Sequence, residues 1–257
     1  MRLRINNQSA FQCLSYRRGN DFVRFCLFLF YSNNASLCVF FNLTLLFLSV
    51  SERIRLPKID LMFVISSQSS KSSQTFPYMK AILTDIMQNY STNQIHFAVV
   101  LYGNEPSVIL RFSDGYTDPN KLVEEISSAR NVPGGSALDK ALQTAKMIFT
   151  EDEAVRPEAR KILVIITDEK SSGDTVVAKG VAKDLIYNHV SIITVALGSE
   201  ADRKELEELT PTDGNSLNAT TDKDPGETAE EIIEKIAQRT WLFLNDYLKF
   251  LLITLVS

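Results

Sequence analysis

Lys161-Ile-Leu-Val-Ile-Ile-Thr167, followed at once by Asp168, is the stretch of sequence that decides the fold. Its five consecutive aliphatic residues leave no polar position to face water, so we expect a strand that is covered on both faces. A strand of this kind is typical of the centre of a parallel sheet. It is the most hydrophobic candidate strand in this part of the chain, so we place it centrally.

Short β-branched runs alternate with longer amphipathic segments on both sides of this stretch. The other predicted strands are Asp60–Ile65, Ile95–Tyr102, Ser107–Phe112 and Val190–Leu197. Helices are predicted over Phe76–Tyr90, from Asp118-Pro119 onward, and over Ser136–Phe149, Asp174–Asn188, Glu200–Leu209 and Gly226–Arg239. The connection Gly103–Pro106 suits a hairpin, whereas the other strands need crossovers. The sequence therefore predicts an α/β fold with a doubly wound, mainly parallel sheet, one antiparallel edge strand, and helices on both faces.

Composition divides the chain into three segments. Residues 1–57 hold eight of the fifteen Phe residues and all three Cys residues, which excludes disulfides from the rest of the chain. Their apolar runs, 22–31 and 37–50, are shorter than the roughly 20 residues of a membrane-spanning helix. We interpret 1–57 as a hydrophobic, basic leader, either a signal peptide or anchor or a disordered segment. The domain is predicted over 58–241, and 242–257 is an apolar tail.

The net charge of −4 conceals an asymmetry along the chain. Residues 1–57 carry seven basic and two acidic residues, whereas 58–257 carry 20 basic and 29 acidic residues. The acidic part repels phosphates and has no basic run interleaved with aromatic residues, which argues against nucleic-acid binding. Contact with a membrane is expected only through the apolar terminal segments.

Three loops follow the predicted strands at their carboxyl ends. They are Ser66–Ser70, Pro133–Ser136 and Thr167–Glu169. In an open doubly wound sheet, ligands bind where the carboxyl ends of strands meet the amino ends of helices. We therefore expect these loops to form one surface.

Four segments together resemble the von Willebrand factor A (vWA) domain family. Asp60–Ile65 with its Ser-rich turn is similar to the opening strand of that family. Gly134-Gly-Ser136 followed by Ala141-Leu142 resembles its Gly-Gly-Thr…Ala-Leu loop. Ile162–Asp168 resembles its Val-Ile-Thr-Asp strand, and Val190–Gly198 its penultimate strand. The resemblance covers about 180 residues in the family's order.

This resemblance implies a metal-ion-dependent adhesion site (MIDAS), which in the family reads Asp-x-Ser-x-Ser, a distant Thr, and an Asp. Here the first motif is Ser66-x-Gln68-x-Ser70, Ser136 stands in the place of the Thr, and Asp168 keeps the final acid. Ser70, Ser136 and Asp168 are thus the implied metal ligands of a site that is degenerate at Ser66 and Gln68. One carboxylate with neutral donors holds Mg²⁺ poorly, so we expect weak Mg²⁺ binding at most and no other cofactor.

A simpler interpretation of the same residues is structural. The serines at 66, 69, 70 and 136 are residues that commonly cap helices, and Asp168 is able to accept hydrogen bonds from loop amides. His96 and His189 are the two histidines, and they have no metal-ligand spacing. Nucleophile elbows and phosphate-binding loops are absent from the sequence. We therefore do not expect an enzyme.

The resemblance implies an adhesion or matrix module, secreted or at the cell surface, that binds a protein such as collagen without metal. Its contact residues are expected to be Ser66, Gln68, Ser70, Ser136, Asp168 and Glu169. Five glycosylation sequons agree with a secreted glycoprotein, at Asn7, Asn34, Asn42, Asn89 and Asn218. Two alternatives stay open: an intracellular vWA-type scaffold for a protein complex, and an enzyme that depends on Ser70 or Asp168.

Overall fold

The structure is a computed structural model that describes two separate units of the chain. The described residues are 11–18, 21–28, 58–67, 74–90, 94–115, 118–132, 134–210 and 215–238. In the unit formed by Met1–Arg55, strands β1 (Phe11–Arg18) and β2 (Asp21–Phe28) pair in antiparallel fashion. The second unit, Leu56–Ser257, contains the predicted domain.

The second unit is built on a six-stranded sheet. Its strands are β3 (Ile59–Ser66), β4 (Ile95–Tyr102), β5 (Pro106–Leu110), β6 (Arg160–Thr167), β7 (Val190–Leu197) and β8 (Ser216–Ala219). The strand order is β5-β4-β3-β6-β7-β8. Every neighbouring pair is parallel except β4 and β5, which are antiparallel. The predicted fold class, with one antiparallel edge strand and a central β6, is confirmed.

Helices cover both faces of this sheet. They are α1 (Thr75–Tyr90), α2 (Pro119–Ser128), α3 (Leu138–Glu151), α4 (Thr175–Tyr187), α5 (Arg203–Leu209) and α6 (225–238). Apolar residues of α1, α2 and α6 pack on one face, and those of α3, α4 and α5 pack on the other. The sheet is therefore the middle of three layers.

The central strand β3 explains why both faces must be covered. All eight of its residues are buried. Successive side chains of a strand point to opposite faces, so Leu61 and Phe63 belong to the core beneath α1, whereas Met62 and Val64 belong to the core beneath α3. An uncovered face would expose a row of these side chains to water, at about 1.5–3 kcal/mol for each large one.

Several predicted boundaries are wrong by a few residues, and one strand was missed. Helix α3 begins at Leu138 rather than Ser136. Helix α5 begins at Arg203 rather than Glu200, because the Asp202 side chain caps it by accepting from the backbone N–H of Glu205. The predicted third strand ends at Leu110 and is followed by a 3-10 turn, Phe112–Asp114. Strand β8 was not predicted, since its sequence, Ser-Leu-Asn-Ala, carries no β-branched residue.

The terminal predictions remain predictions. The apolar run 37–50 and the tail 242–257 lie outside the described residues. The first run, 22–31, overlaps strand β2. Within the described ranges, no helix has the length and apolar character needed to cross a bilayer.

A buried ion pair connects the amino ends of the central strands. Asp60 is fully buried and accepts from Nε of Arg156 at 2.8 Å and from the backbone N–H of Arg156 at 2.8 Å. The same guanidinium donates to the carbonyl oxygens of Ile59 at 2.7 Å and Gln94 at 3.1 Å. One arginine thus connects the segment before β6 with the starts of β3 and β4.

We expect Asp60→Asn to lower the free energy of unfolding by about 3–5 kcal/mol, because it leaves a buried guanidinium without a counter-charge. Urea denaturation measures this change. Glu158→Gln is the matched control, since it breaks the exposed pair with Lys58 and should leave the unfolding midpoint unchanged. An Asp60→Asn variant as stable as the wild type would contradict the structural role of the buried pair.

Candidate functional site

The candidate site lies where the carboxyl ends of β3, β4 and β6 meet. Strand order reverses at this point, because β4 and β5 extend the sheet on one side of β3 and β6 returns to its other side. Such a switch point forms the ligand crevice of open α/β sheets. We define the strand-end site by Ser66, Tyr102, Ser136, Asp168 and Glu169.

Two buried serines lie at the end of strand β3: Ser66 is its last residue, and Ser67 follows it. The Ser67 hydroxyl donates to the carbonyl oxygen of Tyr102 at 3.0 Å and accepts from the backbone N–H of Val132 at 2.9 Å. It thereby connects β3, β4 and the segment that follows α2. The neighbouring Ser66 hydroxyl lies close enough to the Asp168 carboxylate to lower its pKa.

Two glycines bring Ser136 into the site. Gly134 has a φ of +106°, and a Cβ there would lie 2.3 Å from the Asn104 side chain. The backbone N–H of Gly135 donates to Oδ1 of Asn104 at 2.6 Å. A larger residue at 134 would push this loop away, so the Gly-Gly sequence follows from close packing against Asn104.

Hydrogen bonds at Ser136 connect its loop to the loop after β6. Its backbone N–H donates to the Ser172 hydroxyl at 2.9 Å, and its carbonyl oxygen accepts from the backbone N–H of Ser172 at 2.8 Å and the Ser171 hydroxyl at 3.0 Å. The backbone N–H of Ser171 in turn donates to Oε2 of the buried Glu205 at 3.3 Å. Helix α5 therefore holds the loop after β6 in place through the Glu205 carboxylate.

Burial dominates the electrostatics of Asp168. It is the main reason why the pKa of Asp168 is raised from an ordinary value of 3.8 to about 6. Its own backbone N–H opposes the shift, the negative charge of Glu169 adds to it, and the hydroxyls of Ser66 and Thr75 lower the pKa again. Oδ1 of Asp168 is buried and has no hydrogen-bond partner among the described residues.

Two further hydroxyls are buried beside this carboxylate. The Tyr102 side chain is fully buried, which raises the pKa of its phenol, and its hydroxyl lies near those of Thr167 and Ser136. Within the described part of the chain, however, the Tyr102 and Ser136 hydroxyls make no contact with full hydrogen-bond geometry. The interior of the site therefore contains neutral hydroxyls beside the Asp168 carboxylate, with the Glu169 carboxylate nearby.

The structure brings Ser66, Ser136, Asp168 and Glu169 to one end of the sheet, whereas Gln68 and Ser70 lie outside the described residues. The capping interpretation is wrong for two serines. Ser66 is the last residue of β3, and the N-cap of α3 is Ala137, without a side-chain cap. Tyr102 was missed, although its place at the end of a strand was a signal that it belongs to the same edge.

The described donors do not fit a magnesium ion. Mg²⁺ prefers an octahedron of hard oxygens that includes carboxylates, but position 66 supplies a hydroxyl where the family has an acid. Asp168 keeps the final acid of the family motif, and burial is the main reason why its pKa is raised. No cluster of three or more His, Cys, Asp or Glu side chains suited to a metal occurs in the described ranges.

The fold and the order of the site residues define a class of protein. The chain belongs to the von Willebrand factor type A domain family, whose model matches residues 60–235. This match includes the whole six-stranded sheet except the first residue of β3.

Curated relatives share the domain within much longer chains. Collagen alpha-5(VI) chain from Homo sapiens is 23% identical over 167 residues, which cover 63% of this chain and 6% of the relative. Integrin alpha-M from Mus musculus is 23% identical over 155 residues, which cover 58% of this chain and 13% of the relative. The chain thus spans a small fraction of the curated relatives it matches.

Solved structures share the fold at low sequence identity. Proximal thread matrix protein 1 from the mussel byssus, with a zinc-occupied MIDAS motif, has a TM-score of 0.60 at 18% identity. The match covers 70% of this chain and 46% of that one. Manganese-loaded TRAP protein from Plasmodium vivax has a TM-score of 0.58 at 14% identity, covering 69% of this chain and 72% of that one.

We expect Asp168→Asn to change how stability depends on pH. The folded-state pKa of Asp168, about 6, lies above the ordinary value of 3.8, so the folded chain binds this proton more tightly. Wild-type stability should therefore fall as pH rises from about 4 to about 6. The free energy of unfolding of the variant should exceed that of the wild type by about 1 kcal/mol at pH 7 and equal it near pH 4. This figure is smaller than the full pKa shift implies, because Asp168 is partly exposed and solvent screens its charge.

Urea unfolding at a series of pH values provides the measurement. Asp222→Asn, in an exposed turn, is the control and should follow the wild type at every pH. A constant difference between Asp168→Asn and the wild type from pH 4 to pH 7 would contradict the raised pKa.

Proposed function

We propose that this chain is an extracellular or cell-surface adhesion module that binds a protein partner through its strand-end site. The supporting observation is that Ser66, Ser136 and Asp168 lie at the switch point of a vWA fold, with the half-buried Glu169 beside them. Collagen VI chains and integrin subunits carry similar domains. We infer that the partner is a matrix protein, and collagen is the first candidate.

The proposal includes binding without a metal ion. In a site with two buried carboxylates, a divalent cation offsets their mutual repulsion. With Ser66 in place of one of them, Asp168 is accommodated by hydroxyls and by its raised pKa instead. The contact residues at the partner interface would be Ser66, Ser136, Asp168 and Glu169, together with Gln68 and Ser70 in the adjoining loop.

The proposal also excludes turnover of a substrate. His96 is the second residue of β4, and His189 directly precedes β7, so both lie at the amino ends of strands. A strand of this length places them about 20 Å from the strand-end site. Asp168 and its neighbouring hydroxyls therefore have no histidine to act as a general base, which a serine nucleophile commonly needs.

We expect binding to immobilised collagens or other matrix proteins to persist in EDTA and to be weakened by Glu169→Lys. The charge reversal replaces a half-buried negative side chain of the contact face by a positive one and should reduce affinity by about two- to five-fold. Surface plasmon resonance measures the affinity. Glu124→Lys, exposed on α2, is the matched control and should bind as the wild type does. Binding that EDTA abolishes would contradict the metal-free proposal.

A restored site provides the positive control for metal. Ser66→Asp combined with Gln68→Ser rebuilds the family motif, so this variant should gain a thermal stabilisation with millimolar Mg²⁺. The gain is about 2.7 kcal/mol when free Mg²⁺ reaches 100 times its dissociation constant. The wild type should show no such shift. A wild-type shift that disappears in Asp168→Ala would show a functional metal site instead.

We expect the full chain, expressed in cultured mammalian cells, to enter the secretory pathway. Asn89 and Asn218 are exposed sequon residues, so mass spectrometry of the secreted chain should find glycans there and a new amino terminus within 1–57. Asn89→Gln combined with Asn218→Gln is the control for glycan assignment. A chain that stays cytosolic and unglycosylated would contradict the extracellular part of the proposal and favour an intracellular scaffold.

A further inference from the structure

A second concave surface lies at the opposite end of the domain from the strand-end site. It is a groove of about 730 Å³ between the carboxyl-terminal ends of α3 and α4, beside the starts of β6 and β7. We call it the α3–α4 groove. None of the residues assigned to the strand-end site lines it.

The floor of the α3–α4 groove is apolar. Phe149, Leu185 and Val190 line it, and each is almost completely buried. Beside them, Tyr187 also lines the groove but is 85% exposed. Among the described residues, all large apolar side chains that are exposed lie on α3 and α4, namely Met147, Val176, Val177, Ile186 and Tyr187. Val176 and Val177 lie at the amino-terminal end of α4, away from the groove, so Tyr187 is the exposed apolar side chain of this set that lines it.

The polar residues of the groove include two lysines and no acid. Lys146, Lys161 and His189 line it, and no Asp or Glu does. Lys146 is paired with Asp184 at 2.6 Å, whereas Lys161 has no ion pair within the described part of the chain. Lys161 therefore offers an acidic ligand a positive charge that no carboxylate of the described chain already pairs, in a domain whose residues 58–257 carry nine more acidic than basic residues.

The backbone at the groove has an unusual conformation. His189 is the one described residue other than glycine with a positive φ, at +63°. His189 directly follows Asn188, the C-cap of α4, and a left-handed residue at this position commonly ends a helix. This conformation presents the exposed His189 at the edge of the groove, next to Tyr187.

We propose that the α3–α4 groove binds an acidic segment of a partner protein that carries an apolar or aromatic side chain. The apolar side chain would pack on Phe149, Leu185 and Val190 and against Tyr187. Its flanking carboxylates would lie near Lys161 and Lys146. With the strand-end site at the other end of the sheet, such a groove allows one domain to connect two proteins, which goes beyond adhesion through a single face.

Fluorescence anisotropy with the purified full chain tests this proposal. The probe is a short labelled peptide with alternating Glu and Asp residues around one central Phe. One comparison peptide has Lys in place of every acid, and another has Ser in place of Phe. We expect the acidic Phe peptide to bind and both comparison peptides to bind several-fold more weakly, because each lacks one of the two complementary features.

Variants then locate the binding on the chain. Lys161→Gln and Tyr187→Ser should each weaken the acidic Phe peptide by about two- to five-fold, as expected for a partly exposed contact. Lys161→Glu should weaken it further. Lys204→Gln, exposed on α5 and outside the groove, is the matched control and should leave the affinity unchanged. Circular dichroism melts confirm that each variant is folded.

Three results would overturn the proposal. The first is an acidic Phe peptide that does not bind, and the second is binding that Lys161→Glu and Tyr187→Ser leave unchanged in folded protein. The third is self-association in sedimentation experiments that Lys161→Glu abolishes, because the occupant would then be a second copy of this chain. These results are independent of the strand-end site, which Glu169→Lys tests separately.

Discussion

The parallel pairing of β3 with β6 is the constraint on which the rest of the domain depends. Both strands have five consecutive buried apolar residues, so neither can face water, and each needs a helical layer on both sides. Helices on both sides in turn require crossover connections, which bring all the parallel strands into one direction. Their carboxyl ends then lie along a single edge, and Ser66 and Asp168 become neighbours although 102 positions separate them.

The two ends of this central pair handle buried charge in different ways. At the amino ends, Asp60 is fully buried, and Arg156 satisfies both of its oxygens, one through the guanidinium and the other through its backbone N–H. At the carboxyl ends, hydroxyls and its own backbone N–H lie beside Asp168, and burial raises its pKa. The same kind of side chain is thus an ion-pair partner at one end and a partly desolvated acid at the other.

The exchange of a carboxylate for a hydroxyl at position 66 has a physical consequence for the whole site. An acid at that position would be buried against Asp168, and two adjacent buried carboxylates cannot both ionise without a cation. With Ser66 there, a neutral hydroxyl lies beside the Asp168 carboxylate instead and lowers its pKa. The backbone arrangement of the loops does not require a metal, because hydrogen bonds among Ser136, Ser171 and Ser172 connect them.

Local sequence determined the elements whose physical cause is local. Consecutive aliphatic residues identified β3, β6 and β7, and apolar spacing identified α1. The sequence Asp118-Pro119 identified the start of α2, where the Asp118 side chain caps the helix by accepting from the backbone N–H of Asn120. The family motifs also pointed to the correct edge of the sheet, because strand order and crossover handedness leave few arrangements for such a series.

Only the tertiary structure decided the features that depend on contacts between distant segments. Strand β8 exists because it pairs with β7, not because its four residues favour a strand. Three features depend on segments that are far apart in the chain. They are the hydrogen bond from Ser171 to Glu205, the burial of Tyr102 and the α3–α4 groove. Their energies come from burial and from long-range hydrogen bonds, and neither is encoded in the spacing of neighbouring residues.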